Sequence, residues 1–314
     1  MENLEVMEKS WKKIRVMEVM KKSGKSSAES WKKQVNLGVI KDYAKFLAEN
    51  GIHGVLVNGT SGEGMSMTQA ERKATTEAWI AASKPTRIHV QVQVGGTNMP
   101  DVLDLAKHAE GAGAHSLLCL PELFNKPASA AELIEYLGAV AAAAPKTPLL
   151  YYHNPGYTSV NLDVPSFMSA AAQAIPTFAG IKFTDTNLEM GIKCVRQDGG
   201  AHSVFLGCDY VLAGAFALGF SSSIATCLNL LPRLCNRILD SVQRGSVLEA
   251  REAQDTLNKA AQAITKNGKW VPAMKAAMKL LTGLDMGPAR APLRSLPDQH
   301  IPTLKKDLMD LKLL

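Results

Sequence analysis

The sequence predicts an α/β protein, a (β/α)8 TIM barrel with a C-terminal helical extension and an atypical first strand. From residue 52 onward, short apolar and β-branched runs alternate with longer runs at helical spacing. The connections between them are short, as parallel βαβ units require. The chain has 314 residues, enough for one barrel of roughly 250 residues and a remainder.

Seven runs read as strands: "IHGVLVN" (52–58), "IHVQVQV" (88–94), "HSLLCL" (115–120), "LLYYH" (149–153), "AGIKF" (179–183), "SVFLG" (203–207) and "SSIAT" (222–226). Between them lie helical patterns such as "TQAERKATTEAWIAAS" and "MPDVLDLAKHAEGAG", the second closed by a Gly stop. An eighth strand must precede the helix "LGVIKDYAKFLAENG". The candidate is "IRVMEV" (14–19), which alternates acceptably but is flanked by the basic stretches "SWKK" and "MKKSGKSSAESWKK". After the last strand, "LPRLCNRILDSVQRGSVLEAREAQDTLNKAAQAI" and "VPAMKAAMKLLTG" exceed what one barrel helix needs. The expected organisation is a basic leader over 1–34, a barrel over 35–230 and a helical extension of the same domain over 231–314.

Composition narrows the function classes. With 46% hydrophobic and 20% charged residues, the chain is ordinary globular protein. Its formal net charge of +6 comes largely from the stretch through Lys33, a solvated leader rather than a basic face interleaved with aromatics, so no nucleic-acid partner is expected. Five cysteines without CxxC spacing argue for small apolar thiols in a reducing compartment, against a disulfide framework or a zinc site. No apolar run reaches the roughly 18 residues of a membrane span; a soluble, cytoplasmic protein with no membrane partner is expected.

One strand carries a misfit. In "PTFAGIKFTD" (176–185), Lys182 stands among Phe178, Ala179, Ile181 and Phe183, and lysine is rarely buried without a purpose. Barrel active sites lie at the C-terminal ends of the strands. Those ends carry Thr60 and Ser61 in "NGTSGEG", Tyr152 in "YYHNPG", Lys182 and Thr184 in "IKFTD", Asp209 in "GCD" and Thr226 in "SIATC". An amine, a phenol and several hydroxyls, without a His/carboxylate metal set, suit covalent catalysis on a carbonyl. A neutral lysine forms a Schiff base with a keto group, and a tyrosine moves the protons. Each residue also has a plainer role: a snorkelling lysine, packing tyrosines, a turn at "HNP", and Asp209 as a helix cap. "GTSGEG" could equally cradle an anion, although it lacks dinucleotide and Walker spacing.

These segments resemble the pyruvate-dependent class I aldolase superfamily that contains the N-acetylneuraminate lyases and dihydrodipicolinate synthases. "VNGTSGEGMSMTQAER" resembles its G-[ST]-[ST]-G-E loop and helix start, "YYHNPGYTSV" its Y-x-x-P segment, and "GIKFTDTNL" its G-[ILM]-K-x-[ST] strand. "FNKP" and "GPARAPL" also match, and the resemblance runs over roughly residues 35 to 300. Within the superfamily, "YYH-x-P" and "KF-[ST]-D-T" look most like animal-type lyases. The resemblance implies Lys182 as the Schiff-base lysine and Tyr152 as the proton donor and acceptor. It places Thr60 and Ser61 on the pyruvate carboxylate, and Thr184, Gly207, Asp209, Tyr210 and Thr226 along the sugar-derived chain. It further implies sialic acid and pyruvate as small-molecule substrates, no metal or organic cofactor, and a homotetramer.

The chain departs from the pattern at several points. Tyr210 follows Asp209 where lyases usually carry Glu, and Ala225-Thr226 replaces G-S. Tyr157 replaces both the small apolar residue of lyases and the arginine of the synthases, and Phe124 stands where synthases place a tyrosine. Nothing between Met1 and Gln34 matches the first-strand pattern. An aldolase for another 2-keto sugar acid, or a non-catalytic barrel, therefore remains an alternative reading.

Overall fold

A computed structural model describes residues 35–314. Seven strands, β1 (Gly54–Val57), β2 (His89–Gln93), β3 (Ser116–Cys119), β4 (Leu149–His153), β5 (Phe178–Phe183), β6 (Ser203–Leu206) and β7 (Ser222–Ser223), pair in chain order and all in parallel. Each of the seven strands expected from residue 52 onward is present. The last is trimmed to two residues, although the Ile224 N–H still reaches the Leu206 carbonyl at 2.8 Å. The helices are α1 (Ile40–Glu49), α2 (Gln69–Thr86), α3 (Met99–Ala112), α4 (Ala130–Ala143), α5 (Pro155–Thr158), α6 (Val164–Ala174), α7 (Leu188–Arg196), α8 (Leu212–Leu218), α9 (Pro232–Gln243), α10 (Val247–Thr265), α11 (Trp270–Thr282) and α12 (Ile301–Asp310). The long pattern after β7 is two helices, α9 and α10, because Gly245 breaks it at φ +73°. The final helix, α12, had no counterpart in the sequence expectation.

Period-two alternation divides the side chains into two layers. Val90, Val92, Leu117, Leu149, Tyr151, Ile181, Phe183 and Leu206 face outward into the core beneath the helices. Leu118, Leu120, Leu150 and Tyr152 face inward, with Leu56, Ala179 and Phe205 against them. Both faces are covered, which is why the strands read as near-continuous apolar runs. Each fully buried Leu or Phe contributes roughly 1.5–3 kcal/mol. Helices begin promptly after the strand ends because the loops supply caps. Thr68 and Glu71 form a reciprocal capping box on α2, while Asn98, Ser129 and Asn187 accept the Asp101, Glu132 and Met190 N–H groups; a cap of this kind is worth about 1 kcal/mol.

Among the described residues, β1 pairs only with β2 and β7 only with β6. The "IRVMEV" expectation for the remaining strand lies outside the described residues. The two ends of the sheet are nonetheless brought together, so the sheet is curled rather than open. Asn236 Nδ2 donates to the Asn50 carbonyl and Arg233 Nε to Asn50 Oδ1, each at 2.9 Å. Tyr43 on α1 also donates to Asn229 beyond β7. No helix among the described residues is long and apolar enough to cross a membrane. Cys119, Cys194, Cys227 and Cys235 are buried as free thiols, with Cys208 half-buried.

Candidate active site

An irregularity in β5 determines where Lys182 points. Phe178 pairs with Leu149 but Gly180 pairs with Leu150, so Ala179 is an extra residue, the arrangement of a β-bulge. Strict alternation from outward-facing Phe178 would turn Lys182 outward. The bulge shifts the phase by one and places Lys182 opposite Tyr152 on the inner face. Gly180 makes this possible at φ +140°, where an added Cβ would collide with the Ser203 carbonyl.

Lys182 is 7% exposed and Tyr152 2%. Lys182 Nζ donates to Tyr152 Oη at 3.0 Å and lies 4.2 Å from the ring centroid. Tyr152 Oη is in turn 3.1 Å from Thr60 Oγ1. Burial pushes the phenol up, but the Lys182 charge and hydrogen bonds with Lys182, Thr60 and Asn154 outweigh it and hold Tyr152 below the ordinary tyrosine value. Amine, phenol and hydroxyl thus stand in one hydrogen-bonded line.

Thr60 and Ser61 sit in the turn after β1, which is bounded by left-handed residues at Asn58 (φ +60°) and Glu63 (φ +55°). Gly64 passes so close to Asn58 that a Cβ would strike its carbonyl. Asn58 Nδ2 ties the turn to the Arg72 carbonyl at 3.0 Å. The buried Glu63 carboxylate accepts Lys275 Nζ and the Arg290 N–H, each at 2.7 Å. Arg290 also reaches the Ser66 carbonyl at 2.9 Å and the Glu71 carboxylate at 2.8 Å. Sequence reasoning did not assign these partners to the turn; the available signal was an acid in an otherwise small-residue turn, since a buried carboxylate needs a cation.

Ser61 Oγ lies 2.7 Å from Thr226 Oγ1, which also accepts Trp270 Nε1 at 3.1 Å. Asp209 is buried with both oxygens engaged, by the Cys227 N–H at 2.7 Å and the Thr226 N–H at 3.3 Å. Burial raises its carboxyl against those bonds and the Lys182 charge. Asp209 therefore braces the segment carrying Thr226. Thr184 Oγ1 is buried without a partner among the described residues and lies where a Cβ on Gly207 would fall. Tyr210 turns its ring toward Trp270, with centroids 6.4 Å apart. His153 alternates outward onto Phe183, and burial lowers its imidazole to about 4. Tyr157 and Phe124 are 76% and 90% exposed.

The expected residues thus fall into three groups. Lys182, Tyr152 and Thr60 form one connected line. Ser61 and Thr226 form a second, joined by Trp270, which sequence reasoning missed. Thr184, Gly207, Asp209 and Tyr210 stand at the ends of β5 and β6. Among the described residues, no group of three or more His, Cys, Asp or Glu side chains is placed to hold a metal ion.

A model of the dihydrodipicolinate synthetase family matches residues 28–311. The N-acetylneuraminate lyase of Gallus gallus is 34% identical over 277 residues, 88% of this chain and 90% of that protein. The Homo sapiens N-acetylneuraminate lyase is 32% identical over 90% of this chain and 88% of that one. Among solved structures, the N-acetylneuraminate lyase (sialic acid aldolase) of Aliivibrio salmonicida superposes with a TM-score of 0.86 at 30% identity, covering 90% of this chain and 93% of that chain.

Proposed function

We propose, because this chain belongs to the dihydrodipicolinate synthetase family, that it is a class I aldolase cleaving N-acetylneuraminate reversibly to N-acetylmannosamine and pyruvate. The observation that carries the reading is the 3.0 Å contact between the buried Lys182 amine and the Tyr152 phenol. Full-length relatives that are N-acetylneuraminate lyases support it.

In this mechanism Lys182 attacks the C2 ketone of the open-chain sugar as the free amine, and the Tyr152 phenol gives the proton with which water leaves, so that a protonated imine stands beside the Tyr152 phenolate. Tyr152, as phenolate, takes the proton of the C4 hydroxyl. The C3–C4 bond then breaks and its electron pair moves into the imine, giving an enamine and the aldehyde N-acetylmannosamine. Tyr152 gives that proton to C3 of the enamine, and hydrolysis of the resulting protonated imine releases pyruvate, restores the amine and returns a proton to Tyr152. Thr60 and Ser61 hold the carboxylate. Thr184, Gly207, Asp209, Tyr210 and Thr226 border the sugar tail. The steps use no cofactor. A cytoplasmic homotetramer completes the reading, and light scattering of the purified chain tests the assembly.

The test is borohydride trapping with pyruvate, followed by intact mass and peptide mapping, with Lys182→Ala as control. A reduced pyruvyl adduct on Lys182 is expected. No adduct on folded protein at high pyruvate would sink the aldolase reading and leave a non-catalytic barrel.

A second reading, an aldolase for another 2-keto sugar acid, is favoured by one feature of the tail side. Both Asp209 oxygens are occupied by backbone N–H groups and Tyr210 leans on Trp270, so the groups offered to a sugar tail differ from an Asp-Glu pair. Aldol synthesis from pyruvate with a panel of aldehydes separates the two, N-acetylmannosamine giving the highest kcat/KM if the first reading holds.

A further inference from the structure

Thr226 is fixed at every polar atom. Its N–H donates to Asp209 Oδ2 at 3.3 Å, its carbonyl accepts Asn229 Nδ2 at 2.9 Å, and its hydroxyl oxygen accepts Trp270 Nε1 at 3.1 Å. Asn229 is itself held by Tyr43. One hydrogen-bonding group remains, the Thr226 hydroxyl proton, and one further neighbour lies within reach, Ser61 Oγ at 2.7 Å.

The direction of this chain follows from donor counting. An indole N–H can only donate, whereas a hydroxyl donates once and accepts up to twice. Without a ligand the pair can run either way, since each direction leaves one hydroxyl proton over. An anion in the turn after β1 can only accept, so it takes the Ser61 proton, and the 2.7 Å contact then requires Thr226 as the donor. With the anion bound the chain runs from Trp270 N–H to Thr226 to Ser61, and Ser61 meets the anion as a donor.

We propose that Trp270 and Thr226 are positioning residues for the carboxylate of the keto acid: they fix the direction of the hydroxyl chain so that Ser61 meets the anion as a donor. The proposal rests on the aldolase reading above and assigns Thr226 to the carboxylate end of the substrate rather than to its sugar tail. It gives α11, in the C-terminal extension, a part in binding the acid common to every substrate of the site. Substitutions at Trp270 then alter affinity for pyruvate itself and leave selectivity among aldehydes unchanged.

The experiment measures borohydride trapping of pyruvate on Lys182 by intact mass, as a function of pyruvate concentration. It compares the wild-type chain, Trp270→Phe, Thr226→Val and the double variant, each shown by thermal melting to be folded. Phe retains an aromatic ring beside Tyr210 while removing the N–H together with the second ring; Val retains the shape of Thr and removes the hydroxyl alone. Loss of an oriented donor to an anion predicts a rise of about five- to tenfold in half-saturating pyruvate for each single variant. The double variant is expected to show no further rise, and the maximal trapping rate to stay within twofold. Singles within twofold of wild type, effects that multiply in the double variant, or a lowered maximum at unchanged half-saturation would each overturn the proposal. Absence of trapping in the wild type would overturn the aldolase reading and this assignment together. Trapping with unchanged half-saturation would overturn this assignment alone. The indole N–H resonance of Trp270 in 15N-labelled full chain gives a readout independent of substrate. It is expected to move in Thr226→Val, and an unmoved resonance also overturns the chain.

Discussion

Gly180, two residues before Lys182, holds a backbone conformation closed to residues with a Cβ, and the bulge built on it sets Lys182 opposite Tyr152. In an unbulged strand that place would fall to Ile181. Gly180→Ala is therefore expected to cost about 3 kcal/mol or more, since a positive φ and a backbone collision act together. It should also abolish pyruvate trapping on whatever folds. Urea unfolding and adduct mass check the two effects; a stable variant that still traps at Lys182 would refute the role given to the bulge.

Tyr152→Phe removes the phenol and keeps the ring beneath the Lys182 amine. Loss of a positioned proton carrier predicts a fall in turnover of about 10²–10⁴-fold, with a pyruvate adduct still forming at Lys182 under borohydride. A coupled assay for released pyruvate alongside intact mass measures both. Turnover within tenfold of wild type would assign the proton step elsewhere.

Lys275→Met takes away the ion-pair partner of the Glu63 carboxylate, which keeps the uncharged backbone N–H of Arg290. Stranding a buried charge in this way costs about 3–5 kcal/mol. Glu63→Gln, which leaves no buried anion behind, is expected to cost less. Reversal of that order in urea melts would show that the pair is not carrying the turn.

His153 gives the acid limb of stability its shape. Its imidazole titrates near 6.5 in the unfolded chain and is lowered by burial to about 4 in the folded one. Between those values the unfolded state binds more protons, so stability falls as pH is lowered from about 6.5 towards 4, by up to roughly 3 kcal/mol. His153→Phe preserves stacking on Phe183 and sacrifices no hydrogen bond at Nδ1, which is buried without a partner among the described residues. It should flatten this limb, as followed by denaturant melts at pH 4.5 and 7; an unchanged slope would assign the acid sensitivity to other groups.

Alternation made the strands legible, because parallel strands covered on both faces are apolar throughout and bounded by turn residues. The same simplicity misleads at β5. Period two from Phe178 puts Lys182 among the outward residues, and only Gly180 hints at the bulge. Lys182, Tyr152 and Thr60 were visible as polar residues at strand ends, and the structure joins them. Lys275 and Arg290 reach the turn after β1 from more than 200 residues along the chain, and Trp270 reaches Thr226 from 44 residues away; no local pattern encodes such contacts. The sequence reads Asp209 as bordering the substrate or capping a helix, and the structure adds that its oxygens clamp the N–H groups of the segment after β7.

The ion pair between Glu63 and Lys275 also sets a clock on synthesis. The two residues are 212 positions apart, and a ribosome adding about 5–20 residues per second needs roughly 10–40 s to cross that distance. Throughout that interval Glu63 has emerged and its cation has not, so the turn bearing Thr60 and Ser61 stays hydrated while β2 to β7 are being made. The nascent chain therefore carries Lys182 and Tyr152 well before it carries Lys275, the cation that holds the turn of Thr60 and Ser61.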